Sequence, residues 1–152
     1  MGHDGGMLLN RRSFTAVLGL AALAHAVAAT GAPLSDAEIA GVRAVVQGQL
    51  DAFAANDAAK AFSYAAPNVR SRLGTAERFM AMVRAGYPVV FRPASVAFLL
   101  PQRLSDGTVV QRAQMSDARG ETWLAVYTLQ RQKDKSWRIS GCDVQPARGR
   151  AT

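Results

Sequence analysis

The sequence predicts an α+β domain, in which helices come first and a meander of antiparallel strands follows them. In the first half of the chain, apolar residues recur at the spacing of a helix face. From Val89 onward, apolar and polar residues alternate, which is the period of a strand, and turn-forming stretches separate the alternating runs. The 152 residues suffice for one domain with its own core. We therefore expect three N-terminal helices packed on a curved, mainly antiparallel sheet of four strands.

Capping residues and helix-ending residues predict the first two helices. Ser35 and Glu38 have the spacing of a capping box, and the apolar residues behind them keep one helix face as far as Phe53. Asp57 is suited to cap a second, short helix, which ends at Pro67. The first of these is therefore the long helix that the sheet would hold.

The third predicted helix runs from a cap at Thr75 to Gly86. Four apolar side chains cover most of its circumference: Phe79, Met80, Met82 and Val83. A helix that is apolar nearly all round is normally buried on more than one side, so we expect this methionine-rich surface to belong to the core rather than to a ligand site. Tyr87 and Pro88 are expected to turn the chain into the sheet.

Four runs have the composition and period of strands: SVAFLL, TVVQRAQMS, TWLAVYTLQR and SWRISGCDV. Pro101 lacks an amide hydrogen, which places the first of them at a sheet edge or a bulge. Strict alternation puts Trp137, Ile139 and Asp143 on one face of the last run, which we expect to point inward. Cys142 would then lie on the opposite face as a small packed hydrophobe.

Residues 1–28 are predicted to form an export signal. Arg11 and Arg12 precede an apolar run, and Ala26 and Ala28 provide the small residues of a cleavage site. The apolar run is shorter than the roughly 20 residues that span a bilayer, so we expect no stable membrane anchor after cleavage. The two arginines, followed by Phe14, also resemble the twin-arginine export motif, and both export routes stay open. The protein is therefore expected in the periplasm or outside the cell.

The rest of the chain is divided by its composition. We expect a linker over residues 29–34, one folded domain over residues 35–145 and a flexible tail over residues 146–152. Translation could begin at Met1 or at Met7, since an export signal needs nothing that precedes Met7.

Removal of the signal limits the available chemistry. Both histidines, His3 and His25, precede residue 29, and Cys142 is the only cysteine. Histidine-dependent triads, Cys-His pairs, the common zinc sites and an intrachain disulfide are therefore excluded from the predicted mature chain, and no cofactor or metal site is expected. The net charge of +7 comes mainly from scattered arginines, which disfavours nucleic-acid binding.

Three segments resemble the bacterial domain of unknown function family 4864 (DUF4864): QLDAFAANDAAKAFSYAAPNVR, FMAMVRAGYPVVFRP and WLAVYTLQRQKDKSWRISGCDV. The order of helices and strands is similar to that of the wider nuclear transport factor 2-like superfamily. This second resemblance implies a cone in which a curved sheet holds the long helix, with a cavity at the open end and, in many members, a homodimer through the sheet face. The resemblance to DUF4864 implies a fold and no catalytic residue.

The sharpest candidate for catalysis is Asp143. A carboxylate held in an apolar cavity would have a raised pKa and could transfer protons. Tyr64 or Tyr127 could then polarise a carbonyl, as the resemblance to isomerase-like and cyclase-like enzymes of the superfamily implies. The alternative is an exposed aspartate at the end of a strand, without a role in catalysis.

The same cavity could bind a ligand without transforming it. Six residues are candidates for contacting that ligand: Tyr64, Tyr87, Arg92, Trp123, Tyr127 and Asp143. Arg92 could hold a carboxylate ligand, or it could form a structural ion pair with Asp57 or Asp143. Core packing accounts for the aromatic residues equally well.

The function that we expect is the binding of a small apolar or amphipathic ligand, or of a protein partner, by an exported protein without catalysis. An isomerase-like or cyclase-like enzyme that uses a cavity aspartate and a tyrosine is the first alternative. The second is an accessory subunit whose cavity is filled by its own side chains.

Overall fold

The computed structural model describes residues 31–147. The predicted signal residues Arg11, Arg12, Phe14, Ala26 and Ala28 lie outside this range, as do residues 148–152 of the predicted tail. Within it, five helices precede five strands, which confirms the α+β order. The helices are α1 (Asp36–Ala54), α2 (Ala58–Ser63), α3 (Pro67–Leu73), α4 (Ala76–Gly86) and α5 (Pro88–Phe91). No helix of residues 31–147 is long and apolar enough to cross a bilayer.

Two of these helices, α3 and α5, exceed the predicted three. Each begins with a proline, Pro67 or Pro88, at its start. The fixed φ of proline suits the first helical position, and its missing amide hydrogen costs nothing there. The prediction that strand character begins at Val89 is wrong, because Val89 and Val90 are buried in the single turn of α5 and the first strand begins at Ser95.

The strands form one antiparallel sheet with the spatial order β1-β3-β4-β5, in which β2 also pairs with β3. They are β1 (Ser95–Phe98), β2 (Gln102–Arg103), β3 (Val109–Ser116), β4 (Thr122–Arg131) and β5 (Trp137–Pro146). The predicted four strands become five because the chain breaks around Pro101, so that β1 and β2 pair separately with β3. Pro101 therefore interrupts an edge strand, where its missing donor leaves no gap inside the sheet.

The helices cover one face of the sheet and form the core with it. Ala113, Met115 and Leu129 point from β3 and β4 toward the helices, and each is at most 1% exposed. Val46 and Phe53 of α1 meet them and are buried to the same degree. The apolar face predicted for the first helix is thus the face that packs on the sheet.

Aromatic rings join the helices to one another. The ring of Phe53 lies 5.7 Å from that of Phe79 and 6.0 Å from that of Phe91, in tilted orientations. Phe62 lies 5.6 Å from Phe79. Aromatic pairs at such distances add to the stabilisation that burial provides. The cluster therefore holds α1, α2, α4 and α5 together.

A short bridge connects the helical layer to the free edge of β5. Ile139 N donates to Tyr64 O and Ala66 N donates to Ile139 O, each over 2.8 Å. The side chain of Tyr64 packs over Gly48 of α1, where a Cβ atom would lie 2.6 Å from the ring Cζ. The absence of a side chain at Gly48 is what lets this ring approach the helix.

Glu38 joins the start of α1 to two strands. Its Oε1 accepts from Ser35 N at 3.0 Å, and Ser35 Oγ accepts from Glu38 N at 3.1 Å, which is the predicted capping box. Its Oε2 accepts from Arg103 at 2.8 Å and from Arg131 at 3.4 Å. The hydrogen bond from Arg103 is the main cause that lowers the pKa of Glu38 to about 2.

This depressed pKa predicts how stability depends on pH. A carboxyl group whose pKa is lower in the folded state than its ordinary 4.5 stabilises the fold above that value, and the contribution fades as pH falls toward about 2. We expect Glu38→Gln to lower the urea midpoint most at pH 6 to 7, and the gap from the wild type to narrow between about pH 4.5 and about pH 2. Glu77→Gln, which removes an exposed acid without an ion pair in residues 31–147, is the control. A gap that stays constant across this range would contradict the assignment.

The contact between Gly48 and Tyr64 predicts a second effect on stability. Gly48→Ala would force the Tyr64 ring from α1, and we expect a loss of about 1–3 kcal/mol in the free energy of unfolding. Gly86→Ala is the matched control, because a methyl group there meets no atom within 4 Å and alanine favours a helix by up to about 1 kcal/mol over glycine. Urea titration of both variants measures the difference, and equal midpoints would refute the contact.

Candidate functional site

A cavity of about 240 Å³ lies between the helical layer and the β4–β5 side of the sheet. Its apolar wall includes Phe53, Val69, Leu73, Phe79, Val83 and Val90. Its lining residues with polar side chains are Gln49, Arg72, Tyr87, Tyr127, Ser140 and Cys142. Apolar walls with a few polar groups are the usual composition of a small-molecule site, so this cavity is the candidate functional site.

A β-bulge at Ser140 interrupts β5 where it borders the cavity. Leu129 of β4 pairs with Ile139, whereas the preceding residue, Thr128, pairs with Gly141, so Ser140 is one residue too many. Ser140 Oγ donates toward Thr128 O at 3.2 Å and lies 3.1 Å from Thr128 Oγ1. A Cβ atom at Gly141 would lie 2.9 Å from Thr128 Oγ1, so only glycine fits without a shift. An extra residue reverses which face of the strand each later side chain occupies.

The bulge places Cys142 on the inner face and Asp143 on the outer one. Cys142 pairs with the buried Tyr127 and lines the cavity, whereas Asp143 is exposed. The prediction that Asp143 shares a face with Trp137 and Ile139 is wrong, and so is the prediction that Cys142 lies opposite them. Both predictions assume unbroken alternation, which the extra residue removes.

Tyr127 carries an unsatisfied polar group into the cavity wall. The side chain is 1% exposed, and its hydroxyl has no nitrogen or oxygen partner within residues 31–147; the thiol of Cys142, a weak hydrogen-bonding group, lies beside it. Burial, together with the neighbouring Cys142, raises the pKa of Tyr127 well above its ordinary value. The hydroxyl is therefore protonated at neutral pH and can both donate and accept a hydrogen bond.

Gln111 of β3 is a second polar side chain on the buried face of the sheet, beside Tyr127. It pairs directly with Tyr127 across the sheet and is fully buried. Its Nε2 donates to Leu99 O at 2.7 Å and to Arg112 O at 2.9 Å, while its Oε1 has no partner within the described part of the chain. Gln111 does not line the cavity, so its role is to hold the end of β1 beside β3.

The thiol of Cys142 has low nucleophilic reactivity. Burial is the main cause that raises its pKa to about 12, and the charge of the neighbouring Asp143 adds to the rise. Only the thiolate is a good nucleophile, so a thiol with this pKa does not react readily at neutral pH.

Arg72 and Met82 stand at the exposed rim of the cavity. Arg72 makes no hydrogen bond or ion pair with residues 31–147 through its side chain. Met82 is 37% exposed, in contrast to Met80, which is 5% exposed and belongs to the core. The prediction that the whole methionine-rich surface of this helix is core is therefore wrong at Met82, which faces the opening.

A second concavity, a surface groove of about 500 Å³, contains Arg92 and Trp123. Three of its polar side chains, those of Arg92, Asp117 and Trp123, already have partners. Trp123 Nε1 donates to Asp117 Oδ2 at 3.0 Å, which is the main cause that lowers the pKa of Asp117. Arg92 donates to Ala54 O at 3.2 Å and to Asn56 Oδ1 at 3.3 Å. It forms no ion pair within residues 31–147, so the alternative of an ion pair with Asp57 or Asp143 is wrong. The groove is larger than the cavity, but these groups are structural.

The six residues predicted to contact a ligand do not converge on one site. Tyr127 lines the cavity, and Tyr87 borders both the cavity and the groove. Arg92 and Trp123 lie in the groove alone. Tyr64, packed on Gly48, and the exposed Asp143 line neither of them.

Sequence reasoning missed Gln49, Arg72 and Cys142. A signal existed for Gln49, which interrupts the apolar face of α1, is 4% exposed and donates to Ala61 O at 3.2 Å. Nothing in the sequence distinguishes Arg72 from the other exposed arginines. Within residues 31–147, no group of three or more histidine, cysteine, aspartate or glutamate side chains is arranged to hold a metal ion.

The raised pKa of Cys142 predicts slow alkylation. At pH 8, a pKa of about 12 in place of 9.0 leaves roughly a thousandfold less thiolate, and burial slows access further. We expect native protein to react with iodoacetamide much more slowly than protein unfolded in urea, by at least about tenfold, as followed by mass spectrometry. Cys142→Ala provides the blank, and equal rates in the folded and unfolded protein would contradict the placement of the thiol.

Comparisons with known proteins agree with the resemblance of the three segments. The family model described as Domain of unknown function (DUF4864) matches residues 35–152, which is more than half of the chain. No curated protein and no solved structure gives a significant match. The chain therefore belongs to the DUF4864 family.

Proposed function

We propose that this protein binds a small, mainly apolar ligand in the cavity between its helices and its sheet, without catalysing a reaction. One observation carries the proposal: a mainly apolar wall lines about 240 Å³ beside the buried Tyr127 hydroxyl, which has no nitrogen or oxygen partner within residues 31–147. Leaving such a group unsatisfied costs about 1–3 kcal/mol. A ligand atom that meets the hydroxyl recovers part of that cost.

The volume limits the size of the ligand. About 240 Å³ corresponds to about eight water-sized groups of roughly 30 Å³ each. This lies slightly below the range of drug-sized pockets, roughly 300–1,000 Å³. A single substituted ring or a short branched chain matches this volume, whereas a sterol or a long acyl chain exceeds it.

The protonation states in the cavity favour binding over catalysis. Tyr127 and Cys142 both have raised pKa values, so neither is ionised at neutral pH. Gln49 does not titrate, and Asp143, the carboxylate suggested as a base, lies outside. Acid–base catalysis needs a group whose pKa lies near the working pH, and this lining does not offer one.

The proposal includes the shape and the location of the protein. Helices cover one face of an open sheet, and a bulge bends its last strand, which supports a cone of the nuclear transport factor 2-like kind. The basic start and apolar run within residues 11–28 support export to the periplasm or out of the cell.

Toluene tests the proposal, since it is an apolar single ring of suitable size. Binding at ten times the dissociation constant stabilises a protein by about 1.4 kcal/mol, so we expect toluene to raise the melting temperature by a few degrees. Val69→Phe fills the cavity wall with a larger side chain and should abolish this rise. Calorimetry with and without toluene measures both effects.

Val126→Phe is the matched control, because Val126 lies on the outer face of the sheet opposite Asp143. It should keep the response to toluene. Native mass spectrometry of the protein from a bacterial host would add a retained mass that Val69→Phe lacks. An unchanged melting temperature of the wild type together with no retained mass would refute the proposal, as would an equal loss of response in both variants.

A further inference from the structure

We infer that the ligand is a small carboxylate whose apolar body ends in a hydroxyl or carbonyl group, with the carboxylate at Arg72 and the other polar end at Tyr127. This inference rests on the proposed function and specifies the ligand class of the same cavity. Its basis is the placement of charge in the lining. Arg72 is the charged side chain of the lining and sits at the exposed rim, whereas Tyr127 is buried and neutral.

The net charge of the helical segment that carries Arg72 favours an anion. Residues 67–92, which form α3 to α5, contain five arginines, Arg70, Arg72, Arg78, Arg84 and Arg92, and one acid, Glu77. The guanidinium groups of Arg84 and Arg92 lie 5.0 Å and 5.1 Å from the centre of the Phe91 ring. Arg72 makes no such contact and borders the cavity, so it is the arginine that is free to meet a ligand there. Its planar group pairs well with a carboxylate.

The inner wall of the cavity determines which chemical group suits the other end of the ligand. Moving a charged group into an apolar cavity without a partner is costly, so the carboxylate stays at the rim. The Tyr127 hydroxyl lacks a nitrogen or oxygen partner within residues 31–147 and can donate or accept, which suits a hydroxyl or carbonyl oxygen. The apolar wall between these two groups suits a ring or a short branched chain.

Three probes separate the two contacts: 4-hydroxybenzoate, 4-hydroxybenzamide and benzoate. The benzamide replaces the carboxylate by a neutral group, and benzoate lacks the hydroxyl. We expect 4-hydroxybenzoate to bind about tenfold more tightly than the benzamide and roughly 2- to 10-fold more tightly than benzoate, as measured by titration calorimetry at low salt. The preference over the benzamide should fall at high salt, because the arginine is exposed.

Two variants assign each preference to its residue. Arg72→Gln should remove the preference for the carboxylate and keep the preference for the hydroxyl, whereas Tyr127→Phe should do the reverse. Arg70→Gln is the matched control, because it removes an equal charge from the same short helix but from outside the cavity lining. Tyr127→Phe should leave the empty protein as stable as the wild type or more so, since it removes an unsatisfied buried hydroxyl. This separates lost binding from misfolding.

The possible outcomes are distinguishable. If toluene binds in the cavity but the three probes bind equally, the inference about the ligand class is wrong and the proposed function stands. The inference also fails if Arg70→Gln weakens 4-hydroxybenzoate as much as Arg72→Gln does, because surface charge in general would then account for the preference. If neither toluene nor any of the probes binds, both the inference and the proposed function are refuted.

Discussion

The extra residue at Ser140 decides what the cavity contains. The helical layer attaches to the free edge of β5 at Ile139, through its hydrogen bonds with Tyr64 and Ala66. The bulge follows immediately, and a bulge bends its strand and increases the local twist. The strand is therefore fixed to the helices immediately before Ser140. The cavity lies beside this point, so the bulge determines which side chains of β5 face it.

Neutral polar side chains lie on the buried face of the sheet, whereas the ion pairs of residues 31–147 lie nearer the surface. The row of Gln111, Tyr127 and Cys142 crosses three strands on the buried face, and each side chain is uncharged at neutral pH. The charged cluster of Glu38 and Arg103 lies at the start of α1, where water can still solvate it. A buried neutral group without a partner costs about 1–3 kcal/mol, and a buried unpaired charge costs far more. The fold can therefore tolerate an open hydroxyl at Tyr127, whereas it could not easily tolerate a carboxylate there.

The sequence predicted which segments form helices and strands better than it predicted which side chains face the core. The capping box at Ser35, the apolar face of α1 and the edge position of Pro101 depend on local chemistry, and the structure contains all three. The face that Asp143 occupies depends on the number of residues that precede it in β5, and one extra residue moves its side chain to the other face. The segment SWRISGCDV reads as an ordinary alternating strand, because a bulge forms through pairing with β4 rather than through a local motif. The position of Arg72 at the cavity could not be predicted for a similar reason, since only tertiary packing places α3 beside the cavity.

The outward position of Asp143 also bears on the chemistry of the cavity. Its negative charge contributes to the raised pKa of Cys142 even from the other face of the sheet. An inward carboxylate at the same depth would repel an anionic ligand and could form an ion pair with a rim arginine. The bulge turns Asp143 away, and Arg72 is the charged side chain of the cavity lining. With unbroken pairing, Gly141 would lie opposite Tyr127 and Asp143 would lie opposite Ala125, on the inner face of the sheet. The proposed preference for an anion at the rim therefore depends on the register of β5.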